Sequence, residues 1–375
     1  MGRYVWQSPT WPKFQWDSGA LLVPLGRTRG AQGRLLAQGD YLGLELQVEI
    51  LTQEVFTSAA IEGERLDRDL VRSSVARRLG LPAAGLPPDE RRTDGLVEML
   101  VDATVNHDCQ LDEERLKGWQ AALFPTGYSG MKRIAVGQWR LPSADPMQVV
   151  SGPIGREKVY FEAVPGSRLD AEMKLFVDWW TDKRESTEGL IRAAIAHLWF
   201  VTIHPFEDGN GRLARALAEM ALAQDEGTGR RMYSMSAQIS AERNAYYDVL
   251  ERTQKGEGDI TDWLLWFLQC LERAMARSEK EVERATYKGR FWQQKAALAL
   301  NQRQRKVVNR LLDSGPGGFQ GGLTNRKYCG MTRASPSTAK RDIAELLEMG
   351  IISRRPGGGR SVSYDLVWDH GDGGR

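Results

Sequence analysis

Cysteine is scarce in this chain of 375 residues, and long apolar runs are missing. Cys109, Cys270 and Cys329 stand far apart and form no Cys-x-x-Cys pair. This pattern argues against a disulfide scaffold and against a zinc site, and it suits a reducing compartment. No apolar stretch reaches the roughly 18 residues of a membrane span, and residues 1–13 lack the apolar centre of a secretion signal. We therefore expect a cytoplasmic protein without a membrane partner.

Net charge is also small. The chain carries 51 Lys and Arg against 49 Asp and Glu, a formal charge of +2. A surface this balanced does not attract polyanions as a whole, so any affinity for nucleic acid must be local. The apolar and charged fractions, 41% and 27%, are those of an ordinary globular protein. The length predicts two or three domains and a sizeable core.

A dense polar segment, His-Pro-Phe-Glu-Asp-Gly-Asn-Gly-Arg-Leu-Ala-Arg, occupies residues 204–215. A mostly apolar stretch over 190–201 precedes it, and Leu213, Leu217 and Met220 then recur at helical spacing. A glycine-rich turn that opens a helix directs several backbone N–H groups to one place, where phosphate oxygens are readily held. The segment therefore indicates a phosphate site between two helices.

Charged side chains in this segment suit nucleotide chemistry. Arg212 and Arg215 share a helix face, so both can contact one polyphosphate. Asp208 offers an oxygen ligand for Mg²⁺, which proteins hold with one or two carboxylates together with substrate phosphates. His204 is the general base of the segment. Each residue alone is more often structural, but their fixed spacing between two helices favours a functional site.

The segment resembles the signature of the Fic (Fido) family, His-x-Phe-x-Asp/Glu-Gly-Asn-Gly-Arg-x-x-Arg, at every specified position. The resemblance implies a mostly α-helical bundle with a β-hairpin flap over residues 41–285. It also implies an enzyme, a protein adenylyltransferase that moves AMP from ATP to a Ser, Thr or Tyr hydroxyl of a target protein or of itself. ATP is then the substrate, and Mg²⁺ is the cofactor.

The resemblance also implies a role for each site residue. His204 takes the proton from the target hydroxyl, and Asp208 holds Mg²⁺. The remaining residues bind ATP: Gly209, Asn210 and Gly211 at the α-phosphate, Arg212 at the β-phosphate, Arg215 at the γ-phosphate, and Tyr247 at the adenine or ribose.

A second motif lies near the end of a helix predicted over residues 41–63. Ser58 and Glu62 share one face of that helix, and Gly63 is suited to end it. Alone, Glu62 would be an exposed glutamate near a helix end. The segment resembles the Fic inhibitory motif Ser/Thr-x-x-x-Glu-Gly/Asn, which implies an inhibitory helix. A carboxylate on Arg215 would take the cation meant for the γ-phosphate, so ATP would bind unproductively.

Other parts of the first 285 residues are predicted from composition. Residues 1–40 form an N-terminal module of unknown function, whose aromatic first stretch is expected to dock on the body and whose second half is helical around 21–36. A β-hairpin is predicted near 147–162. In Fic proteins a hairpin here looks like the element that aligns the target by strand addition, although any surface hairpin has the same composition.

Three residues around the site receive structural interpretations. His197 is predicted to be a core histidine and Phe206 a core anchor of the loop. Ser240 is predicted to cap a helix that carries Tyr246 and Tyr247. One long helix is predicted to follow over residues 261–285.

Residues 288–375 are predicted to form a separate domain. Helices are expected over 303–313, after Leu323 and from Ser335, and a β-hairpin wing around the glycines at 357–359. The order resembles a winged helix-turn-helix. Residues 321–360 hold eight Lys and Arg against three Asp and Glu, and Lys340, Arg341 and Arg360 are the candidates for DNA contact. A protein-docking or dimer module remains open.

Two other functions remain open. The same scaffold could remove AMP, with Glu62 positioning a water, or transfer another nucleotide. Alternatively, the chain could be a DNA-binding regulator whose Fic domain senses ATP or modifies itself. The expected partners are ATP, a target protein that the sequence does not specify, DNA through the C-terminal domain, and a second copy of the chain in a homodimer.

Overall fold

The computed structural model describes residues 4–39, 44–81, 91–143, 146–151, 158–296, 298–356 and 362–368. The fold is mostly helical, as predicted, with short two-stranded sheets. The chain forms two compact units, residues 1–278 and 279–375. Within the described ranges, no helix is both long enough and apolar enough to cross a membrane.

The first unit is built from helices and two antiparallel hairpins. Its described helices are α1 (Ser18–Gly39), α2 (Leu44–Ile61), α3 (Arg68–Arg78), α4 (Arg91–Val105), α5 (Glu113–Leu123), α6 (Leu169–Asp182), α7 (Gly189–Ile203), α8 (Asn210–Glu226), α9 (Met235–Ala241), α10 (Arg243–Gln254) and the start of α11 (Thr261–Gln294). Its strands are β1 (Tyr128–Ser129) with β2 (Lys132–Arg133), and β3 (Gln148–Ser151) with β4 (Lys158–Glu162).

Helix α7 lies at the centre of this unit. Its residues from Leu190 to Ile203 are all buried, which fits a helix that is apolar on every side. Helix α8 packs along it and buries Leu213, Leu217 and Met220, as their spacing predicts. The turn between α7 and α8 is therefore supported on both sides by buried helices.

The N-terminal aromatic stretch docks on the first unit, as predicted. The Trp6 indole N–H donates to the carbonyl oxygen of Glu162 at 2.7 Å, and the Trp11 indole N–H donates to Oε2 of Glu172 at 2.8 Å. The Tyr4 ring packs edge-on against Phe161 at 5.2 Å. These contacts join residues 4–11 to α6 and to the end of the β3–β4 hairpin.

Helix α2 ends as the sequence predicts. Gly63 has φ +81°, a conformation that favours glycine. The N–H of Gly63 donates to Ala60 O and that of Glu64 to Ala59 O, both at 3.0 Å, which is the Schellman pattern of a helix end. Residues 41–43, at the predicted start of this helix, lie outside the described residues.

The predicted hairpin near 147–162 is present as β3 and β4, with a bulge between Val149 and Val150; residues 152–157 lie outside the described residues. The prediction for Ser240 is wrong. Ser240 lies inside α9, whose cap is Ser234, with Oγ accepting from Ala237 N at 3.0 Å. Helix α10 begins after Glu242 without a side-chain cap, and α11 extends beyond residue 285 to Gln294.

The second unit contains the elements predicted for it, in the predicted order. They are α12 (Gln302–Ser314), α13 (Asn325–Thr332), α14 (Pro336–Glu348), and the antiparallel strands β5 (Ile352–Arg354) and β6 (Tyr364–Leu366). Ser335 caps α14, and Pro336 occupies its first turn. Ile343 and Leu346 are buried in the core, and Leu347 is partly buried against it.

Candidate active site

The turn between α7 and α8 is held by its own residues. Phe206 is fully buried, with its ring 4.8 Å from that of Trp139, so its predicted role as a core anchor is confirmed. The Asn210 side chain accepts from Phe206 N at 3.0 Å and donates to Phe206 O at 2.8 Å. In this structure the Asn210 amide closes the loop, and its contact with an α-phosphate stays a prediction.

His204 ends α7 in a left-handed conformation, with φ 54° and ψ 58°. Such a conformation costs a residue other than glycine about 1–2 kcal/mol, so the surrounding contacts must hold it. Its Nδ1 lies 3.2 Å from the carbonyl oxygen of Val201. Because a carbonyl only accepts, this contact favours the tautomer with the proton on Nδ1 and leaves the Nε2 lone pair free.

The charge state of His204 also suits a base. Burial lowers the pKa of this imidazole to about 4, and the Arg140 cation acts in the same direction. The Val201 hydrogen bond and the carboxylates of Glu62 and Asp208 oppose this shift without reversing it. The ring is therefore neutral at physiological pH and can accept a proton.

The first turn of α8 is open to an anion. Gly209 precedes the helix with φ 94°, where a side chain would be strained. A Cβ on Gly211 would lie 2.2 Å from Oε1 of Glu62 and 3.4 Å from Nη1 of Arg215. Only a glycine at 211 lets a carboxylate come this close to the start of the helix. The Glu62 carboxylate therefore stands where backbone N–H groups and the helix dipole favour negative charge.

Arg215 is a buried cation shared with α2. Its Nε donates to Ser58 Oγ at 2.9 Å, and its Nη2 donates to Ser58 O at 3.0 Å and to Glu62 Oε1 at 2.8 Å. Burial alone would lower the pKa of Arg215, but the Glu62 carboxylate brings it above its usual value. Nη1 has no partner among the described residues, so one donor of this guanidinium remains for a further acceptor.

Arg212 and Asp208 lie beside each other on the same turn. Nη2 of Arg212 lies 3.4 Å from Oδ1 of Asp208, and Nη1 donates to Oε1 of Glu64 at 2.8 Å. The Arg212 guanidinium is 3% exposed and lies over the Phe124 ring at 5.0 Å. Asp208 also accepts from Gly209 N at 2.6 Å and from the Ser129 hydroxyl. Each arginine of the motif therefore already contacts a carboxylate from the segment after α2.

The donor set fits a magnesium ion only together with a substrate. No cluster of three or more His, Cys, Asp or Glu side chains suited to a metal occurs in the described part of the chain. Asp208 is the carboxylate of the loop that remains 40% exposed, and one carboxylate combined with substrate phosphate oxygens is a usual arrangement for Mg²⁺. The residues present thus fit the ion that the sequence implies.

The aromatic residues near the site divide into packing and surface roles. His197 is buried, its Nε2 lies 3.0 Å from the Tyr246 hydroxyl, and burial lowers its pKa to about 3, so the prediction of a core histidine is confirmed. Tyr247 is partly buried, and its hydroxyl lies 3.5 Å from the carbonyl oxygen of Ile61. Burial and the nearby Glu62 raise the pKa of Tyr247, so this ring lies beside the end of α2.

Several contacts at the site escape sequence reasoning. Glu64, Ser129 and Arg140 each touch a motif residue, yet they come from three separate segments. Glu54 is 2% exposed and accepts from Ser234 Oγ at 2.7 Å and Ser236 N at 2.9 Å. Since Glu54, Ser58 and Glu62 recur every four residues, this spacing could have identified Glu54 as part of the same helix face.

In the second unit, Lys340 and Arg341 are exposed on α14, and Arg360 lies outside the described residues. A groove of about 870 Å³ runs beside Lys340, and its other lining residues include Ile343, Leu347, Val362 and Tyr364. The structure therefore brings one predicted DNA-contact residue next to an apolar surface.

Comparison with known proteins gives two family matches. Residues 110–222 match the model of the Fic/DOC family, and residues 4–81 match a domain of unknown function, DUF4172. Among curated relatives, the chain is 40% identical over 86 residues to protein adenylyltransferase fic-1 of Caenorhabditis elegans, across 22% of this chain and 16% of that protein. It is 32% identical over 139 residues to protein adenylyltransferase Fic of Aedes aegypti, across 36% and 26%.

The chain thus spans about a quarter or less of the length of these curated relatives. Among solved structures, it resembles a Fic family protein from Desulfovibrio desulfuricans G20, with a TM-score of 0.54 and 19% identity over 96% of this chain and 98% of that one. At this identity the likeness concerns the fold.

Proposed function

We propose that the Fic/DOC domain of this chain transfers AMP from ATP to a protein hydroxyl and that α2 inhibits the transfer. The observation that carries this proposal is the arrangement around Glu62. Its carboxylate occupies the first turn of α8 and contacts buried Arg215, beside a neutral histidine. An internal anion at this place marks the position of a substrate anion, because the helix N-terminus and the Arg215 cation attract both.

The chemistry follows from where the groups lie. A target Ser, Thr or Tyr oxygen bonds to the α-phosphorus while the bond from that phosphorus to the bridging oxygen breaks, and pyrophosphate leaves. Nε2 of His204 accepts the hydroxyl proton. The N–H groups of Gly209, Asn210 and Gly211 are proposed to face the α-phosphate, where negative charge develops. Arg212 and Arg215 are proposed to hold the β- and γ-phosphates, and Tyr247 to pack on the adenine or ribose.

Asp208 would hold Mg²⁺ together with phosphate oxygens. The ion, when bound, supplies positive charge that offsets the phosphates. Ser129 donates to the carboxylate of Asp208 and so orients it. Oδ1 of Asp208 accepts from the Gly209 N–H in this structure, and in the proposed complex that N–H is released to the α-phosphate.

Inhibition is proposed to act through Ser58, Glu62 and Gly63. Ser58 holds the Arg215 guanidinium through its hydroxyl and its carbonyl oxygen, and Glu62 takes a further N–H. Gly63 turns the chain sharply after α2, so Glu64 follows onto Arg212. ATP then meets two cations that are already paired, and its γ-phosphate cannot adopt the pose needed for transfer.

The experiment that tests the activity follows the label on ATP. The purified chain and its Glu62→Gly variant are incubated with Mg²⁺ and with ATP labelled at either the α- or the γ-phosphorus. We expect protein-bound label from α-labelled ATP alone, with a mass increase of one AMP. Label from the γ-position would indicate phosphoryl transfer and would overturn the proposal. Loss of AMP from a premodified protein would instead favour AMP removal, with Glu62 positioning the water.

The second unit is proposed to be a winged helix-turn-helix that contacts DNA. Supporting this are the order of α12, α13, α14, β5 and β6 and the exposure of Lys340 and Arg341 on α14. The apolar lining of the adjacent groove keeps protein docking as the alternative. The domain limits of 1–40, 41–285 and 288–375, the homodimer and the cytoplasmic location stay predictions from the sequence.

A further inference from the structure

Arg140 is a buried cation that binds main-chain carbonyls. It is 7% exposed, and no carboxylate in the described part of the chain forms an ion pair with it. Its Nε donates to the carbonyl oxygen of His204 at 2.8 Å. Its Nη2 donates to those of Val164 and, at 3.4 Å, Ile203. Burying a guanidinium for neutral acceptors is costly, so its position calls for a specific role.

Two of these acceptors lie at the end of α7. The last carbonyl groups of a helix lack partners within the helix, and Pro205 has no N–H to offer. The Arg140 side chain donates to the carbonyl oxygens of Ile203 and His204, and the Arg140 backbone N–H donates to Pro205 O at 2.9 Å. A cation at this place also complements the helix dipole. Three consecutive carbonyls around the left-handed His204 are thereby held by one residue.

The third acceptor belongs to the hairpin. Val164 is the second residue after β4. The residue between them, Ala163, donates its N–H to Met147 O at 2.9 Å. The hairpin base is therefore joined through the Arg140 side chain to the backbone of His204. This contact links the element proposed to align the target with the residue proposed to deprotonate it.

We infer that Arg140 is a positioning residue that holds His204 in its left-handed conformation and fixes it relative to the β3–β4 hairpin. The inference rests on the proposed transfer reaction. Arginine suits this task because its planar group donates in several directions at once, whereas a lysine ammonium cannot reproduce that geometry. Arg140 touches neither nucleotide nor target in this scheme, so its effect is expected on the catalytic step.

Arg192, which lies on α7, offers a matched control. It is 2% exposed, it donates to Trp180 O at 2.9 Å and to Gln224 Oε1 at 2.7 Å, and burial lowers its pKa to about 10, as it does for Arg140. It lies near the opposite end of α7 from His204. Arg140→Met and Arg192→Met thus both remove a buried guanidinium, but only the first removes contacts to His204.

The kinetic test uses the full chain carrying Glu62→Gly. Arg140→Met is expected to lower kcat by roughly 100-fold, the scale for a misplacement of about 1 Å, with an unchanged KM for ATP. Arg140→Lys is expected to regain thermal stability without regaining kcat. Arg192→Met is expected to keep kcat near that of its parent. Equal losses of kcat in Arg140→Met and Arg192→Met would overturn the inference. Where Arg140→Met does not fold, Arg140→Gln takes its place.

A second measurement needs no activity. The chain has four histidines, so ring signals in a histidine-labelled sample can be assigned with His204→Ala. We expect His204 to show the single Nδ1–H tautomer in the parent and in Arg192→Met, and a mixture in Arg140→Met. An unchanged His204 signal in Arg140→Met would contradict the inference. Absence of AMP transfer from every sample would instead contradict the proposed function, and the ring signals would still decide the role of Arg140.

Discussion

Oε1 of Glu62 lies 2.8 Å from Nη2 of Arg215, at the first turn of the helix that carries this arginine. The contact crosses from α2 to α8 and is reinforced by Ser58, one helical turn earlier. Glu54, a further turn back, fixes the same helix face to the start of α9. The contact between Glu62 and Arg215 is therefore supported by other contacts along the same face of α2, which hold this helix in place relative to α8 and α9.

Replacing Glu62 with glycine should activate the chain. The Glu62→Gly variant frees Arg215 for the γ-phosphate, so self-labelling from α-labelled ATP should rise well above that of the parent. Glu49→Ala is the control, since it removes a carboxylate from the same helix that pairs with Arg72 and Arg68. No increase in Glu62→Gly would contradict inhibition, and a loss of activity would favour a catalytic Glu62 and AMP removal.

Replacing Glu64 should strengthen ATP binding. Glu64→Gln removes the charge that now pairs with Arg212 at 2.8 Å. A charge-assisted hydrogen bond contributes about 1.5 kcal/mol, so the dissociation constant for ATP should fall by roughly tenfold, measured by calorimetry. Glu207→Gln is the control, since Glu207 lies in the turn between α7 and α8 but contacts Lys132 of β2. Weaker binding in Glu64→Gln would mean that Glu64 holds Arg212 in place for ATP.

Sequence reasoning located this site because its motif is local. The spacing of Arg212 and Arg215 on one helix, and of Ser58 and Glu62 on another, follows from helical periodicity. The burial of His197 follows from its position in an apolar run, and that of Phe206 from its place as the one large apolar side chain in the first half of a polar turn. Groups that lie within one helix or one turn can therefore be placed from their spacing alone.

The contacts of Arg140 and Ser129 could not be predicted in the same way. Arg140 binds backbone carbonyls, and every residue has one, so the sequence carries no partner signal. Ser129 reaches Asp208 only because the short β1–β2 hairpin turns it toward α8. The prediction that Ser240 caps a helix is wrong because this serine lies in the last turn of α9. In sequence, a serine there looks like the cap of the following helix, and α10 begins after Glu242 without a capping side chain.

His204 should be essential for transfer and dispensable for ATP binding. His204→Ala removes the proton acceptor, whose contribution is about 10²–10⁴-fold, while the α8 turn and both arginines remain. Label transfer and calorimetry in the Glu62→Gly background separate the two effects. Transfer near the parental rate in His204→Ala would assign the base to another residue.

The acid limb of the pH profile should lie unusually low. His204 must be neutral to accept a proton, and burial lowers its pKa to about 4. The value of kcat/KM, which reports the free enzyme, should therefore stay level as the pH falls to about 5 and decline only near 4. The Glu62 carboxylate raises the pKa of His204. In the Glu62→Gly background this pKa should therefore not be higher, and the fall in kcat/KM should not begin at a higher pH. A midpoint between pH 6 and 7, with circular dichroism unchanged, would contradict this environment for His204.

DNA binding by the second unit should depend steeply on salt. Each phosphate contact changes the log–log slope of affinity against salt by about −0.9. Lys340→Ala and Arg341→Ala in the full chain should each reduce the slope by about one unit without altering sequence preference, and Arg360→Ala is expected to do the same. Arg310→Ala is the control, because Arg310 is exposed on α12 rather than on α14. Two results together would assign α14 and its groove to protein docking. The chain would show no salt-dependent retention of duplex DNA, and it would self-associate in a way that Lys340→Ala or Leu347→Asp abolishes. Fold alone does not choose between these outcomes, but the slope does, because an apolar interface between two proteins releases no counterions from DNA.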